Sequence, residues 1–388
     1  MRDKEHSMNR VTRRGLLQTS GLAAAGVAAA CAPAAAPATT PGRSSGSEPW
    51  QVEWDALVEA AKKERTVVVQ TAVGTGYRDA LDLFAKAFPG IEPEQQAFPD
   101  GATYIPKIQG ERKAGIYTFD VAAVPAIPPL QVLKYDGTYD PLRPALFRPD
   151  VLDDKAWFGG FESRWADIDK TLAFRFQAQV TRPLYVNTNL IKETDIKSWD
   201  DLLDPKYKGK IVMSDVAQGY VYSPSTILRE IKGEAWLRKL LVDQEPEQIR
   251  DRRQAVEALV RGKAPIGFGL HPFVMQDFMN EGLANHIKNI EVPDGAYAGG
   301  DTVLIFNRAP HPNAAKLFIN WLLTKEGGET WSSKVRANSA RTDVPIVEER
   351  FAPKPSVTYR DPSSEINYKA VGETQEFLNK TVGKVTGS

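Results

Sequence analysis

Apolar residues recur along this chain with two different periods. Trp54, Leu57, Val58 and Ala61 fall at i, i+3, i+4 and i+7, one face of a helix, and Thr66-Val67-Val68-Val69 after it is a β-branched run suited to a buried strand. A loop at residues 71–76 follows. Tyr77, Ala80, Leu81, Phe84, Ala87 and Phe88 then mark a second helical face, which Pro89-Gly90 stops. Residues 119–124 read as another buried strand. Strands alternating with helices predict an α/β fold with a parallel sheet covered on both faces.

The middle of the chain changes character. Residues 172–187 are rich in aromatic and β-branched side chains without a helical period, which predicts an extended crossing between two lobes. Beyond it, Ser198-Trp199-Asp200-Asp201 is a capping box that opens a short helix, and residues 210–213 and 265–270 are short strands separated by helical segments. Residues 302–306 read as a return crossing. A helix follows with Pro312 in its first turn and Ala314, Leu317, Phe318, Trp321 and Leu322 on one face.

At 388 residues the chain exceeds what one hydrophobic core usually serves, so two domains are expected. Its 49 Lys and Arg balance 49 Asp and Glu, which argues against a nucleic-acid partner. One Cys and four His, with no paired-ligand spacing, supply neither a disulfide framework nor a common zinc motif. The N-terminus is different again: Arg13-Arg14 precedes a weakly apolar, Ala- and Gly-rich stretch at 16–30, similar to a twin-arginine export signal. Small residues precede Cys31 as in a lipoprotein signal, which makes Cys31 a candidate lipid attachment, and residues 31–49 have the composition of a disordered tether.

A strand with a Gly-containing loop, a crossing, the segment from Trp199 to Lys210, a second α/β unit and the segment from Ala309 to Gly327 together resemble the extracellular solute-binding proteins, family 1, of ABC importers. The nearest branch holds the ferric-iron, phosphonate and thiamine binders. The resemblance covers about residues 50–347 and implies a two-lobe type II periplasmic-binding fold with two hinge crossovers. Lobe 1 would take residues 50–178 and 306–388, lobe 2 residues 179–305, and the ligand the cleft between them. It implies a monomeric receptor and not an enzyme, placed in the periplasm or on the outer face of the cell membrane, lipid-anchored, with a small-molecule ligand and an ABC permease as partners.

In open α/β sheets ligands sit beyond the carboxyl ends of the strands. In the first lobe that selects Thr71, Gly74 and Thr75, with hydroxyls and free amides at a helix start suited to an anion. Gly74-Thr75-Gly76 is also a partial dinucleotide fingerprint, but its third position is Asp79, which would repel a pyrophosphate. In the second lobe, Ser214, Asp215, Gln218, Gly219, Tyr220 and Tyr222 follow a strand and lead into a helix, offering a carboxylate, an amide, backbone N–H groups and two phenols. His271 follows another strand. Ferric binders of the family usually carry adjacent tyrosines there; this chain has His271-Pro272-Phe273, so ferric ion remains an alternative ligand through Asp215, Tyr220, Tyr222 and His271. Arg341 matches a family stretch near the cleft and would suit a phosphate, phosphonate or carboxylate. Arg175 and Arg182 are alternative cations, and His311 at a helix start reads as structural. No resident cofactor is expected, and the preferred ligand is a small anion or zwitterion.

Overall fold

The computed structural model describes residues 48–216, 218–354 and 357–383. The export signal at 1–30, nearly all of the tether and Cys31 lie outside the described residues. Pro49, which composition puts in the tether, instead opens helix α1, Pro49–Glu64. Its fixed φ suits a first helical position, and the Gln51 side chain accepts the Glu48 N–H at 3.0 Å. Leu57 and Ala61 are the residues α1 buries.

Strand β1, Thr66–Ala72, leads through a tight loop into α2, Thr75–Ala87, whose buried face is Ala80, Leu81 and Phe84. Next come β2, Glu92–Phe98, α3, Gly101–Lys113, β3, Val121–Pro125, β4, Tyr139–Asp140, α4, Pro149–Leu152, and β5, Phe174–Arg175. The chain then passes along β6, Gln179–Thr181, into a second unit. That unit contains β7, Leu184–Asn187, β8, Ile211–Ser214, α5, Gly219–Lys232, α6, Glu234–Arg238, and β9, Glu247–Ile249. It closes with α7, Arg252–Val260, β10, Ile266–Phe268, α8, Pro272–Asn280, and β11, Ile287–Ile290. Strand β12, Tyr297–Gly299, returns to β13, Asp301–Phe306, followed by α9, Pro312–Leu322, α10, Lys325–Val335, and α11, Tyr368–Thr381.

The first sheet has the order β2-β1-β3-β13-β4, with β5 also paired to β13, and the second the order β11-β7-β10-β8-β9. The two-lobe α/β reading therefore holds. Both sheets are mixed: β13 runs antiparallel to β3, and β7 antiparallel to β10 and β11. The long crossing at 172–187 divides into β5, β6 and β7; between β6 and β7 stands Pro183, which lacks the N–H that one continuous ladder would need. The run at 302–306 lies inside the first sheet, between β3 and β4, and the return crossing is β12, paired antiparallel with β6. Gly300 joins the two at φ +133°, where a Cβ would come within 2.7 Å of the Gln177 carbonyl oxygen. The capping box at Ser198 opens a single 3-10 turn, Trp199–Leu203.

Two segments differ from the lobe boundaries expected at 305/306. Strand β13 belongs to the first sheet from Asp301 onward. Helix α11, expected with the first lobe, packs against α5, and its Leu378 enters the core of the second sheet because that is where its apolar face finds a partner.

Candidate functional site

The loop after β1 shows why its residue types were chosen. Thr71 is buried; its hydroxyl donates to the Ala72 carbonyl at 2.8 Å and accepts from Gln95 Nε2 at 2.9 Å, so it serves the sheet and does not face a ligand. Gly74 and Thr75 are exposed at the start of α2, with Gly74 at φ +152° and room for a Cβ only 3.3 Å from the Tyr77 ring. Gly76 has a packing role: a Cβ there would lie 2.2 Å from the Lys334 carbonyl oxygen of α10.

Within the first turn of α2, the Tyr77 ring meets Trp331 edge-on at 5.7 Å. Its hydroxyl interacts with the Asp301 carboxyl at the start of β13, and burial, Asp301 and Tyr220 together push it well above its ordinary range. Burial lifts Asp301 to about 7, against the opposing pull of Tyr77, Gln177 and Arg175. Tyr77 and Tyr220 come from different sheet units, and each feels the Asp301 carboxyl, so they stand on the two walls of one cleft.

In the second unit Ser214 ends β8 with its hydroxyl buried and without a partner among the described residues. The Asp215 carbonyl accepts the Gln218 N–H at 2.9 Å. Gln218 donates its amide to the Arg250 carbonyl at 3.0 Å, while its side-chain oxygen has no partner among the described residues. Gly219 opens α5, which lets the Tyr222 hydroxyl approach to 3.3 Å of where a Cβ would stand. Tyr222 packs on the second core, and burial raises its pKa. Tyr220 turns the other way and meets the His271 ring edge-on at 4.6 Å. Burial, partly offset by Arg252, pushes the Tyr220 hydroxyl up to about 12.

His271 is both a cap and a cleft residue. Its Nδ1 accepts the Val274 N–H at 3.4 Å, which leaves Nε2 as the protonated nitrogen. Burial first, and Arg252 second, push it down to about 4, so it is neutral at pH 7. Arg252 opens α7 beyond β9, is exposed, and forms no ion pair among the described residues.

Three cations weighed as ligand groups are committed to other partners. Arg341 is buried: its Nε and Nη2 form a two-point pair with Asp343 at 2.8 Å, and its Nη1 donates to the Leu323 and Asp150 carbonyls. Four of its five N–H donors are thus spent on packing the first unit. Arg175 is held by Asp361 and Ser363, and Arg182 by Glu291 and the Arg350 carbonyl. His311 pairs with the buried Asp120 at 2.8 Å, the structural role expected of it. Among the described residues no cluster of three His, Cys, Asp or Glu could hold a metal, and of the set Asp215, Tyr220, Tyr222 and His271 only Tyr220 and His271 are in ring contact.

Sequence reasoning missed Tyr77, Asp301 and Arg252. Tyr77 was absorbed into a helical apolar stripe, and Asp301 stood just outside the crossing read at 302–306. Arg252 could have been found: Asp251 caps α7 by accepting the Gln254 N–H at 2.8 Å, and an Asp followed three residues on by Gln is a helix-start signal after a short strand.

A profile described as bacterial extracellular solute-binding protein matches residues 79–348. A curated Haemophilus influenzae protein, described only as uncharacterized, is 30% identical over 156 residues, 37% of this chain and 43% of the relative. The chain thus matches less than half of that relative's length. Among solved structures, a Trichodesmium protein (IdiA, FutA) in complex with iron and citrate has a TM-score of 0.65 at 18% identity, covering 82% of this chain and 100% of its own. A Bordetella ferric binding protein has a TM-score of 0.63 at 18% identity, covering 82% and 99%. A Clostridium perfringens ABC transporter structure reaches 0.64 at 15% identity, covering 81% and 99%. At these identities the likeness is one of fold.

Proposed function

Because the chain belongs to the bacterial extracellular solute-binding proteins, we propose that it holds a small anionic or zwitterionic solute between its two sheet units and delivers it to an ABC permease. Arg252 carries this reading. It is an exposed guanidinium with no ion pair among the described residues, and its charge is felt by a neutral His271 and by the Tyr220 hydroxyl. An anion bound there would gain a charge-assisted contact, and the unpaired side-chain oxygen of Gln218 would suit a ligand N–H or O–H. Two sheet units joined by the slender β6 and β12 crossovers suit hinge closure around the solute.

Native mass spectrometry of gently purified protein would give the mass of a retained solute. With that solute, Arg252→Ala is expected to weaken binding by about 2 kcal/mol, roughly 30-fold in Kd, as for a lost charged hydrogen bond. Unchanged affinity in calorimetry would remove Arg252 from the site.

Ferric ion is the second reading. It is favoured by the convergence of Tyr77, Tyr220 and Asp301, three oxygen side chains within one electrostatic neighbourhood. Hard ferric ion prefers such anionic oxygens. Titration with ferric citrate separates the readings: iron binding would bring a visible phenolate-to-iron band that Tyr77→Phe and Tyr220→Phe abolish, whereas a solute that only stacks on the rings keeps its affinity for both variants.

The receptor would be tethered through a lipid on Cys31. Among the described residues no helix is long and apolar enough to cross a membrane. Intact-mass analysis of the membrane fraction should find a chain beginning at Cys31 with added acyl mass; a chain without lipid would refute the anchor.

A further inference from the structure

A second cavity, of about 400 Å3, lies against the crossover strands. Its walls include Ser163, Arg164, Arg175, Gln179, Tyr359 and Asp361, and Ala298 and Gly299 of β12 complete the hinge side. None of the cleft residues Tyr77, Tyr220, Arg252 or His271 lines it. Its volume is in the range of small-molecule sites.

Strand alternation separates the two sites. Phe174 and Phe176 pack into the first core, so Arg175 between them points to the opposite face of the sheet. Val303 enters that same core, which puts Asp301 on its face, while Arg175 stands opposite Thr302. Arg175 therefore leaves the strand on the face opposite Asp301, and neither Tyr77 nor Asp301 lines the cavity.

The charges in its wall do not balance. Arg175 is paired with Asp361, and its Nη2 donates to Ser363 Oγ at 3.0 Å. Arg164 has no ion pair among the described residues; its Nε donates to Ser163 Oγ at 3.1 Å, and its guanidinium lies 6.0 Å from the Phe158 ring centroid. Burial and the nearby Arg175 charge push Arg164 down to about 10 against the opposing pull of Asp361, which still leaves it a cation at pH 7. Gln179, 9% exposed, has both amide atoms without a partner among the described residues, as does Arg175 Nε. Two guanidinium groups that share the one Asp361 carboxylate, and an unsatisfied amide, are costly features to retain in a wall unless something meets them.

We propose that this cavity is a second ligand site, taking a small organic carboxylate whose charged oxygens meet the Arg164 guanidinium and whose remaining polar group meets the Gln179 amide. The net positive charge excludes a cationic ligand, and the donor and acceptor of one amide suit a hydroxyl or second carboxylate better than a purely apolar tail. An occupant would rest on β5 of the first sheet, on β6 and β12, the strands that join the two sheets, and on the segment carrying Tyr359 and Asp361. This site stands independently of the solute proposed for the cleft.

Malonate and inorganic phosphate serve as probes, each titrated at pH 7 by calorimetry into the mature chain and into Arg164→Gln, Gln179→Leu and Tyr220→Ala. Malonate should bind the wild type, bind Arg164→Gln and Gln179→Leu at least tenfold more weakly, and bind Tyr220→Ala unchanged. Phosphate should bind more weakly than malonate. Wild-type affinity in Arg164→Gln, loss of malonate in Tyr220→Ala, or no malonate binding at all would overturn the site, and phosphate binding as tightly would overturn the carboxylate assignment. Should Arg164→Gln fail to fold, a crystal structure of the wild type with malonate decides, by density within hydrogen-bond distance of Arg164 or its absence.

Discussion

Asp120→Ala is expected to lower stability by about 3–5 kcal/mol, the sum expected when several buried donors lose their acceptor. Asp120 is fully buried just before β3. Its carboxylate accepts the Val68 N–H at 2.7 Å, the His311 N–H at 2.7 Å and the His311 Nδ1–H at 2.8 Å. Its backbone adds an N–H to the Val68 carbonyl and a carbonyl to the Phe306 N–H, each at 3.0 Å. One side chain thus ties β1 and the start of α9 together, and its backbone joins β1 to β13. Burial raises the Asp120 pKa, and these contacts oppose the rise. With Ala in place, two backbone N–H groups and an imidazole lose a charged acceptor. A loss of this size is a large share of the roughly 5–15 kcal/mol that holds a typical domain. Urea unfolding at pH 7 measures it, and His311→Ala, which removes only one of the three side-chain contacts, should cost less. Equal costs in the two variants would show that the backbone donors do not depend on Asp120.

Asp301 is expected to make the protein less stable as pH rises from about 4 to about 7, and Asp301→Asn to remove that dependence. The folded pKa is raised to about 7 from an ordinary value of 3.8, chiefly by burial. Within that window the folded chain keeps the Asp301 proton and the unfolded chain has released it, so raising the pH favours unfolding. A gap of about three units corresponds to a penalty on the order of 4 kcal/mol, complete above pH 7. The difference in stability between Asp301→Asn and wild type, measured by urea unfolding, should therefore shift in favour of the variant between pH 5 and pH 8. Parallel pH profiles would mean that Asp301 ionises in the folded state as readily as in the unfolded chain. The same proton bears on the cleft: an anionic solute near Tyr77 should bind more tightly as pH falls through 7, because the carboxyl loses its charge.

Much of the fold is readable along the chain. The helical spacing of Trp54 to Ala61, the Val67-Val68-Val69 run and the stripe from Tyr77 to Phe88 each produce the expected α1, β1 and α2, because local period and burial agree there. Pro312 and the apolar face after it produce α9 for the same reason. Family membership was legible through the segments around Trp199 and Ala309, and the profile match runs through both.

The site was legible only in part. The rule that ligands meet loops beyond strand ends selected Tyr220 and His271, which do touch, but it could not distinguish Thr71 and Arg341, whose polar atoms are consumed by Gln95, Asp343 and main-chain carbonyls. A side chain's chemistry is printed in the sequence; whether its donors are already spent depends on neighbours up to 191 positions away, as with Arg341 and Asp150. Element type and the apolar faces were decided by the sequence alone, since they follow from spacing within a few residues. Tertiary structure alone decided that Asp301, opening a strand, would be buried beside Tyr77 of α2, that Tyr220 would be their neighbour across the cleft, and that Arg252 would be left without a partner, because burial and charge pairing arise only where distant segments meet.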